Sequence, residues 1–335
     1  MMKIERDQGL DTLKAISIIL ILFWHLQPVR FVTRNDNHTF IYFLNGLVEI
    51  FNWQLTLIAV PIFYIVSLYL FFQKIRNKNY LKKRLVKLCS IFIFWSVIQI
   101  VFATIINSKF PNLSWEMIIG IEPILPLVGD SVLYFLFNLI ILIVFAYFYQ
   151  SLNFNHKKLL SYIIVIFSLI LFELTCLPKF SVPYYYLRNF LIYVPIAFAL
   201  VNYTNKVVKF KFYYLATYIL FSLHDICLRY YNYSPGIHSR ISVVFGALTL
   251  FCFIHPLKIQ GNWLTQKLAK YSLGLFVLHK YWQYLFILLI INYPVSINIG
   301  IPLNILFLTI DILVVCSTVL TIALLRLTNL KQFVS

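Results

Sequence analysis

Residues 11–25 read DTLKAISIILILFWH. An aspartate and a lysine open an apolar run, and a histidine closes it eleven residues after the lysine. Taken from residue 13 to 32, the run has the roughly 20-residue length that crosses a bilayer as one helix. Three ionisable groups in such a segment need an explanation, because each loses hydration in hydrocarbon. A helix turns about 100° per residue, which places Lys14 and His25 about 20° apart, with Asp11 about 60° and 40° from them. All three therefore share one narrow face. The rise from Lys14 to His25 is about 16 Å, roughly half the hydrocarbon thickness. With Lys14 near a membrane boundary, His25 is expected near mid-membrane or in the outer half.

The same apolar pattern recurs along all 335 residues, of which 61% are hydrophobic and 12% charged, with a mean hydropathy of +0.85. A soluble domain carries roughly 25% charged residues, so a soluble fold is excluded. A transmembrane barrel would show alternating segments of about 10 residues, and none is visible. The predicted fold is all-α: a polytopic membrane bundle of about ten helices, over 13–32, 55–73, 88–107, 131–150, 159–177, 184–203, 212–229, 240–257, 271–291 and 302–325. No stretch is long and polar enough for a separate soluble domain, so residues 1–335 are read as one membrane domain.

The net charge of +17 does not call for nucleic acid as a partner. With both termini cytoplasmic, inner segments hold 19 of the 28 Lys and Arg, the bias expected of cytoplasmic loops. The opening MMKIERDQGLD is too acidic for a cleaved signal peptide, so the first span is expected to remain. The five cysteines show no CxxC spacing; they read as small membrane-buried residues, with no metal site implied. Two long outer loops, 33–54 and 108–130, are candidates for function. The first contains NGLVEIFNWQ, read as an amphipathic interfacial piece, and the second PNLSWEMIIGIEPILP, read as a half-helix or re-entrant segment. No internal repeat is visible, which disfavours an inverted-repeat transporter.

An imidazole titrates near neutral pH, so His25 can take and return a proton within one cycle. Asp11 and Lys14, three residues apart, can pair and lower each other's desolvation penalty. The segment KIRNKNYLKKRLVK (74–87) concentrates seven positive charges, which suit anionic membrane lipids or a polyanionic ligand. Nothing matches a glycine-rich phosphate loop, so side chains would have to bind phosphate. Ser272 and His279 fall on nearly one face of the ninth span. Arg188, in the sixth, needs a partner or an aqueous space and is a candidate substrate contact. His224, Asp225 and Glu173 are further polar residues within spans, and His238 and His255 read as interface residues.

Five motifs together resemble the membrane acyltransferase-3 family, ten-span O-acyltransferases acting on surface glycans. GLDTLKAISIILILFWH (9–25) matches its opening pattern of Asp, a basic residue, ten others and His, with Lys14 where Arg is usual. VPIFYIVSLYLFFQKI (60–75) is similar to the second span; Ser67 fits, and Leu68 replaces the usual Gly. LKKRLVKLCSIFIFW (81–95) resembles the basic segment leading into the third span, here Arg84 and Lys87. SVLYFLFNLIILIVF (131–145) has Leu133 where Trp is usual. LAKYSLGLFVLHKYW (268–282) looks like the C-terminal element, with Ser272, Gly274 and His279.

The resemblance implies transfer of an acyl group, most often acetyl, from acyl-CoA (acetyl-CoA) as co-substrate to a hydroxyl of a cell-surface or lipid-linked glycan. His25 would be general base or acyl relay. Lys14, oriented by Asp11, would hold the CoA phosphates or polarise the thioester carbonyl, and Arg84 and Lys87 would bind the phosphates. Arg188, His279 and Ser272 are the candidate acceptor contacts. The family places such an enzyme in a bacterial plasma membrane. A transporter or flippase of a lipid-linked sugar or acyl donor is the alternative, and a scaffold in a polysaccharide-export complex is a third reading.

Overall fold

A computed structural model describes residues 7–28, 39–74, 78–115, 132–177, 180, 182–233, 235–257, 262–292 and 303–335. Residues 116–126 of the second long loop, residues 75–77 of the basic segment and the loop 293–301 lie outside the described residues. The described residues form helices and no strand: α1 (Gln8–Leu26), α2 (Thr39–Ile50), α3 (Ala59–Lys74), α4 (Lys78–Asn107), α5 (Tyr134–Ser151), α6 (Phe154–Leu174), α7 (Tyr193–Asn202), α8 (Thr204–Lys209), α9 (Lys211–Tyr230), α10 (Ile241–Ile254), α11 (Trp263–Asn292) and α12 (Leu303–Arg326). The protein is an all-α polytopic membrane bundle. Among the described residues, six helical stretches are long and apolar enough to cross a membrane, and Leu187–Asn202 and Ile241–Leu257 are shorter apolar ones.

α1 starts where its sequence allows. Asp7 caps it, its side chain accepting from the Leu10 amide at 3.1 Å, which satisfies one of the helix's orphan donors. It stops earlier than the apolar run predicts: Gln27 adopts a left-handed conformation (φ 50°) and its N–H returns to the Phe23 carbonyl at 2.9 Å. Pro28 follows and cannot continue the hydrogen-bond ladder. The predicted 13–32 thus becomes Gln8–Leu26, and His25 lies in the last turn of α1.

α1 runs beside α3 and α11 and touches α10. Gly9 lets α1 approach the 3-10 turn (His255–Leu257) that follows α10: a Cβ there would sit 2.5 Å from the His255 carbonyl oxygen and 2.9 Å from its Cα. α3 is apolar on all sides and mostly buried, as a core helix must be, and packs on α1, α5, α7 and α10. The piece 45–54, read as an amphipathic interfacial piece within an outer loop, is helical. α2 passes through a π-helical turn (Phe51–Leu55) and a 3-10 turn (Thr56–Ile58) directly into α3. Such a turn loosens the backbone ladder and leaves carbonyls for other partners. One of them is used: Arg240 Nη2 donates to the Trp53 carbonyl at 2.8 Å.

Candidate active site

Two cavities lie along the face of α1 that carries Asp11, Lys14 and His25. The larger, about 580 Å³, opens at the basic end of the bundle. Asp11 and Lys14 of α1, Ser67 of α3, Arg84 and Lys87 of α4, and Lys270 and Ser272 of α11 all line it. Arg84 Nε is a buried donor without a partner among the described residues, and so available to an anionic ligand. The mixture of fixed cations with apolar walls from α3 and α5 suits a long ligand with a polyanionic head and an uncharged arm.

The smaller cavity, about 30 Å³, surrounds His25 and is lined by Trp24, Thr56, Tyr134, Tyr184 and His238. Ile21, Val60 and Phe276 line both cavities. They are the partition between the basic cavity and the imidazole.

His25 has a second imidazole beside it. The ring centroids of His25 and His279 are 5.1 Å apart, with the planes tilted by 39°. His279 Nδ1 lies 2.8 Å from the Leu275 carbonyl, which can only accept, so the His279 proton resides on Nδ1. Its Nε2 is thereby a lone-pair acceptor, buried and without a partner among the described residues. Gln283 Nε2 donates to the His25 carbonyl at 2.8 Å, which ties the end of α1 to α11. Lys280 and His238 are the remaining electrostatic neighbours of His25. His238 is buried and its Nε2 is 3.0 Å from the Tyr134 hydroxyl.

The sequence-predicted residues divide between these places. Asp11, Lys14, Arg84, Lys87 and Ser272 meet at the larger cavity, and Ser272 Oγ also donates to the Ala269 carbonyl at 3.1 Å. His25 and His279 meet at the smaller one. Arg188 joins neither: it sits in a 3-10 turn (Leu187–Asn189) ahead of α7, partly exposed. The predicted sixth span starts too early because Pro183 and the extended Tyr186 keep the helix from forming before Tyr193. His238, read as an interface residue, is instead buried against the His25 cavity. His255 packs on Phe251 and Tyr69 and pairs with Asp7, Nε2 to Oδ2 at 3.2 Å. Burial opposes ionisation of Asp7, but the His255 hydrogen bond and the Leu10 and Gly9 amides hold its carboxyl below the usual carboxylate range.

Asp225 belongs to a separate polar cluster. Its Oδ2 is 3.4 Å from Arg240 Nη1 and accepts from the Ser242 hydroxyl. Arg240 is 1% exposed, and its guanidinium and that of Arg229 both lie over the Trp53 ring, at 5.5 and 4.1 Å. Trp53 meets Trp24 edge to face at 5.7 Å, so this cluster braces the turn that holds His25. Arg240 and Tyr134 were not singled out by sequence reasoning and His238 was read only as an interface residue, since each lies on or next to a non-helical segment. A weak signal existed for Arg240, a cation at the start of an otherwise uncharged span.

The family model described as an acyltransferase domain matches residues 7–326. Comparison with curated proteins and with solved structures finds no match.

Proposed function

The chain belongs to the acyltransferase-3 family of membrane acyltransferases, and from that premise we propose that it transfers acetyl from acetyl-CoA to a hydroxyl of a cell-surface or lipid-linked glycan. One observation carries the reading: Asp11, Lys14 and His25 lie on one face of α1, with the large basic cavity at one end of it and the imidazole at the other. CoA would lie with its phosphates against Lys14, Arg84, Lys87 and Lys270, and its pantetheine arm along the apolar walls of α3 and α5. The thioester would then reach the Ile21–Val60–Phe276 partition. The basic end would face the cytoplasm of a bacterial plasma membrane, where acyl-CoA is made, and the acceptor would approach from the other side.

At the partition His25 would offer a ring nitrogen with its lone pair, and the unpartnered acceptor His279 Nε2 beside it would favour a proton on the nitrogen that faces it. The lone-pair nitrogen takes the acceptor's proton as its oxygen attacks the thioester carbon, or itself forms the acyl-imidazole that the acceptor then opens. In the direct route the C–S bond breaks and CoA leaves as the thiol with the proton the hydroxyl gave up; in the relay route CoA leaves first with the imidazole's N–H proton, and the acceptor's proton restores the imidazole when it opens the acyl-imidazole. Asp11 orients Lys14 toward the donor.

The test is the O-acyl content of surface glycans in cells making wild type or His25→Ala at matched membrane levels. Loss of acyl groups is expected, since a general base contributes roughly 10²–10⁴ in rate. Retained acylation would remove His25 from the chemistry.

A further inference from the structure

The acyl-CoA reading leaves open which acyl groups reach His25, and the partition answers that question. Ile21, Val60 and Phe276 come from three helices, α1, α3 and α11, and are 3%, 8% and 5% exposed. For reaction, the thioester carbon has to come within about 3–3.5 Å of an imidazole nitrogen. The sulfur and pantetheine then remain in the large cavity, while the acyl carbons go past the partition into the small one. A cavity needs roughly 10–15 Å³ for each water it holds, so the 30 Å³ beside His25 has space for little more than a two-carbon group.

The partition is also poorly able to yield. Ile and Val are stiff at χ1, so Ile21 and Val60 have few ways to swing aside. The Phe276 ring is braced edge to face by Phe135 at 5.6 Å, and Phe135 in turn by Tyr64 at 4.7 Å. Overfilling a close-packed interior displaces side chains from their rotamers. A charged acyl group such as succinyl would have to carry a carboxylate between three hydrocarbon side chains, which nothing there would solvate.

We propose that Ile21, Val60 and Phe276 form a size and polarity filter that admits acetyl to His25 and turns away butyryl, longer and carboxylated acyl groups. This inference rests on the acyl-CoA reading above. The transfer itself is unchanged: the C–S bond of the thioester breaks, the C–O bond to the acceptor forms, and CoA leaves as the thiol with the acceptor's proton.

The experiment uses washed membranes from cells producing the full chain, which supply the acceptor, with membranes lacking the protein as blank. CoA thiol release is followed with acetyl-CoA, butyryl-CoA and succinyl-CoA. Wild type is expected to release thiol from butyryl-CoA at least roughly tenfold more slowly than from acetyl-CoA, and succinyl-CoA more slowly still. Val60→Ala and Phe276→Leu are expected to raise the butyryl-to-acetyl ratio by about tenfold. Leu142→Ala, equally buried in α5 but lining neither cavity, should leave the ratio where it was. Turnover of acetyl-CoA in each variant certifies its fold; if both partition variants lose it, Ile21→Val, the smallest deletion, takes their place. Equal wild-type rates with acetyl- and butyryl-CoA, or active partition variants with an unaltered ratio, overturn the filter alone. No release from any donor by wild type overturns the acyl-CoA reading, and the filter with it.

Discussion

On the proposed mechanism, the nitrogen that His25 offers is expected to depend on a residue that does not touch the acyl group. His279 gives its Nδ1 proton to the Leu275 carbonyl, so only Nε2 can face His25. Glutamine places its terminal amide where His Nε2 would be, and asparagine places its amide near Nδ1. His279→Gln should therefore keep most of the activity, whereas His279→Asn and His279→Leu should lower kcat by roughly 10–100-fold with KM for acetyl-CoA little changed. A merely structural His279 would predict equal damage in all three. A second residue-level expectation concerns Asp7, whose carboxyl is held below the usual range. Its ionised form stabilises the folded state above about pH 4, the unfolded carboxylate pKa, and this contribution is lost as pH falls through the lower folded value. The thermal-stability gap between wild type and Asp7→Asn in detergent should thus be constant above about pH 5 and close on acidification. The shared face of Asp11, Lys14 and His25 was legible because helical period alone decides it. The partnership of His25 with His279 was not, since residues 254 apart in sequence are joined only by how α1 and α11 pack.

Between helices, packing rests on a few positions where backbone meets backbone or charge is buried. Gly9 abuts the carbonyl of His255, an atom that cannot swing away. Gly9→Ala should force α1 from α10 and destabilise the protein by about 1–3 kcal/mol, read as a lower unfolding temperature in detergent; an unchanged midpoint would show that the two helices slide apart without penalty. The Arg240–Asp225 pair makes a sharper case. Removing one member leaves an uncompensated buried charge, so Arg240→Met should lower stability by about 3–5 kcal/mol, while Arg240→Met combined with Asp225→Leu should recover much of it. Because Arg240 also holds the Trp53 carbonyl exposed by the π-helical turn, its loss should disturb the wall of the His25 cavity through Trp53 and Trp24. Element by element, a helix among the described residues overlaps each of the ten segments that hydropathy singled out, six helical stretches being long and apolar enough to cross a membrane, and the departures in bounds have local causes. Gln27 and Pro28 end α1 early. The π-helical turn joins a predicted loop to α3, and irregular backbone keeps Arg188 out of α7. Hydropathy registers apolar length, and none of these features alters apolar length.

At the scale of the whole molecule, the two cavities impose a direction. The basic residues that line the larger cavity come from the N-terminal part of α1, the C-terminal end of α3 and the N-terminal parts of α4 and α11. They therefore gather at one end of the bundle, the end whose loops carry the excess of Lys and Arg. His25, at the far end of α1, meets an inner cavity walled by Trp24, Tyr134 and Tyr184, with the Trp53 cluster beyond it. Donor and acceptor are thus expected to enter from opposite faces, and no part of the bundle has to alternate its access as a transporter must. This predicts a strict sidedness for CoA, which does not cross membranes. In inside-out vesicles, with the basic end facing the medium, added acetyl-CoA should be consumed and O-acetyl groups should appear on glycans held in the lumen. In right-side-out vesicles the same addition should yield nothing until the membrane is permeabilised. Replacing Arg84 and Lys87 with glutamine should weaken the use of acetyl-CoA in the inside-out vesicles and reduce its salt dependence, because two of the cations proposed to face the CoA phosphates are gone. Equal consumption from both faces would mean that the donor does not enter through the basic cavity. His25 would then have to be reached from the side of Trp24 and Tyr184, and the Ile21–Val60–Phe276 partition would no longer stand between CoA and the imidazole.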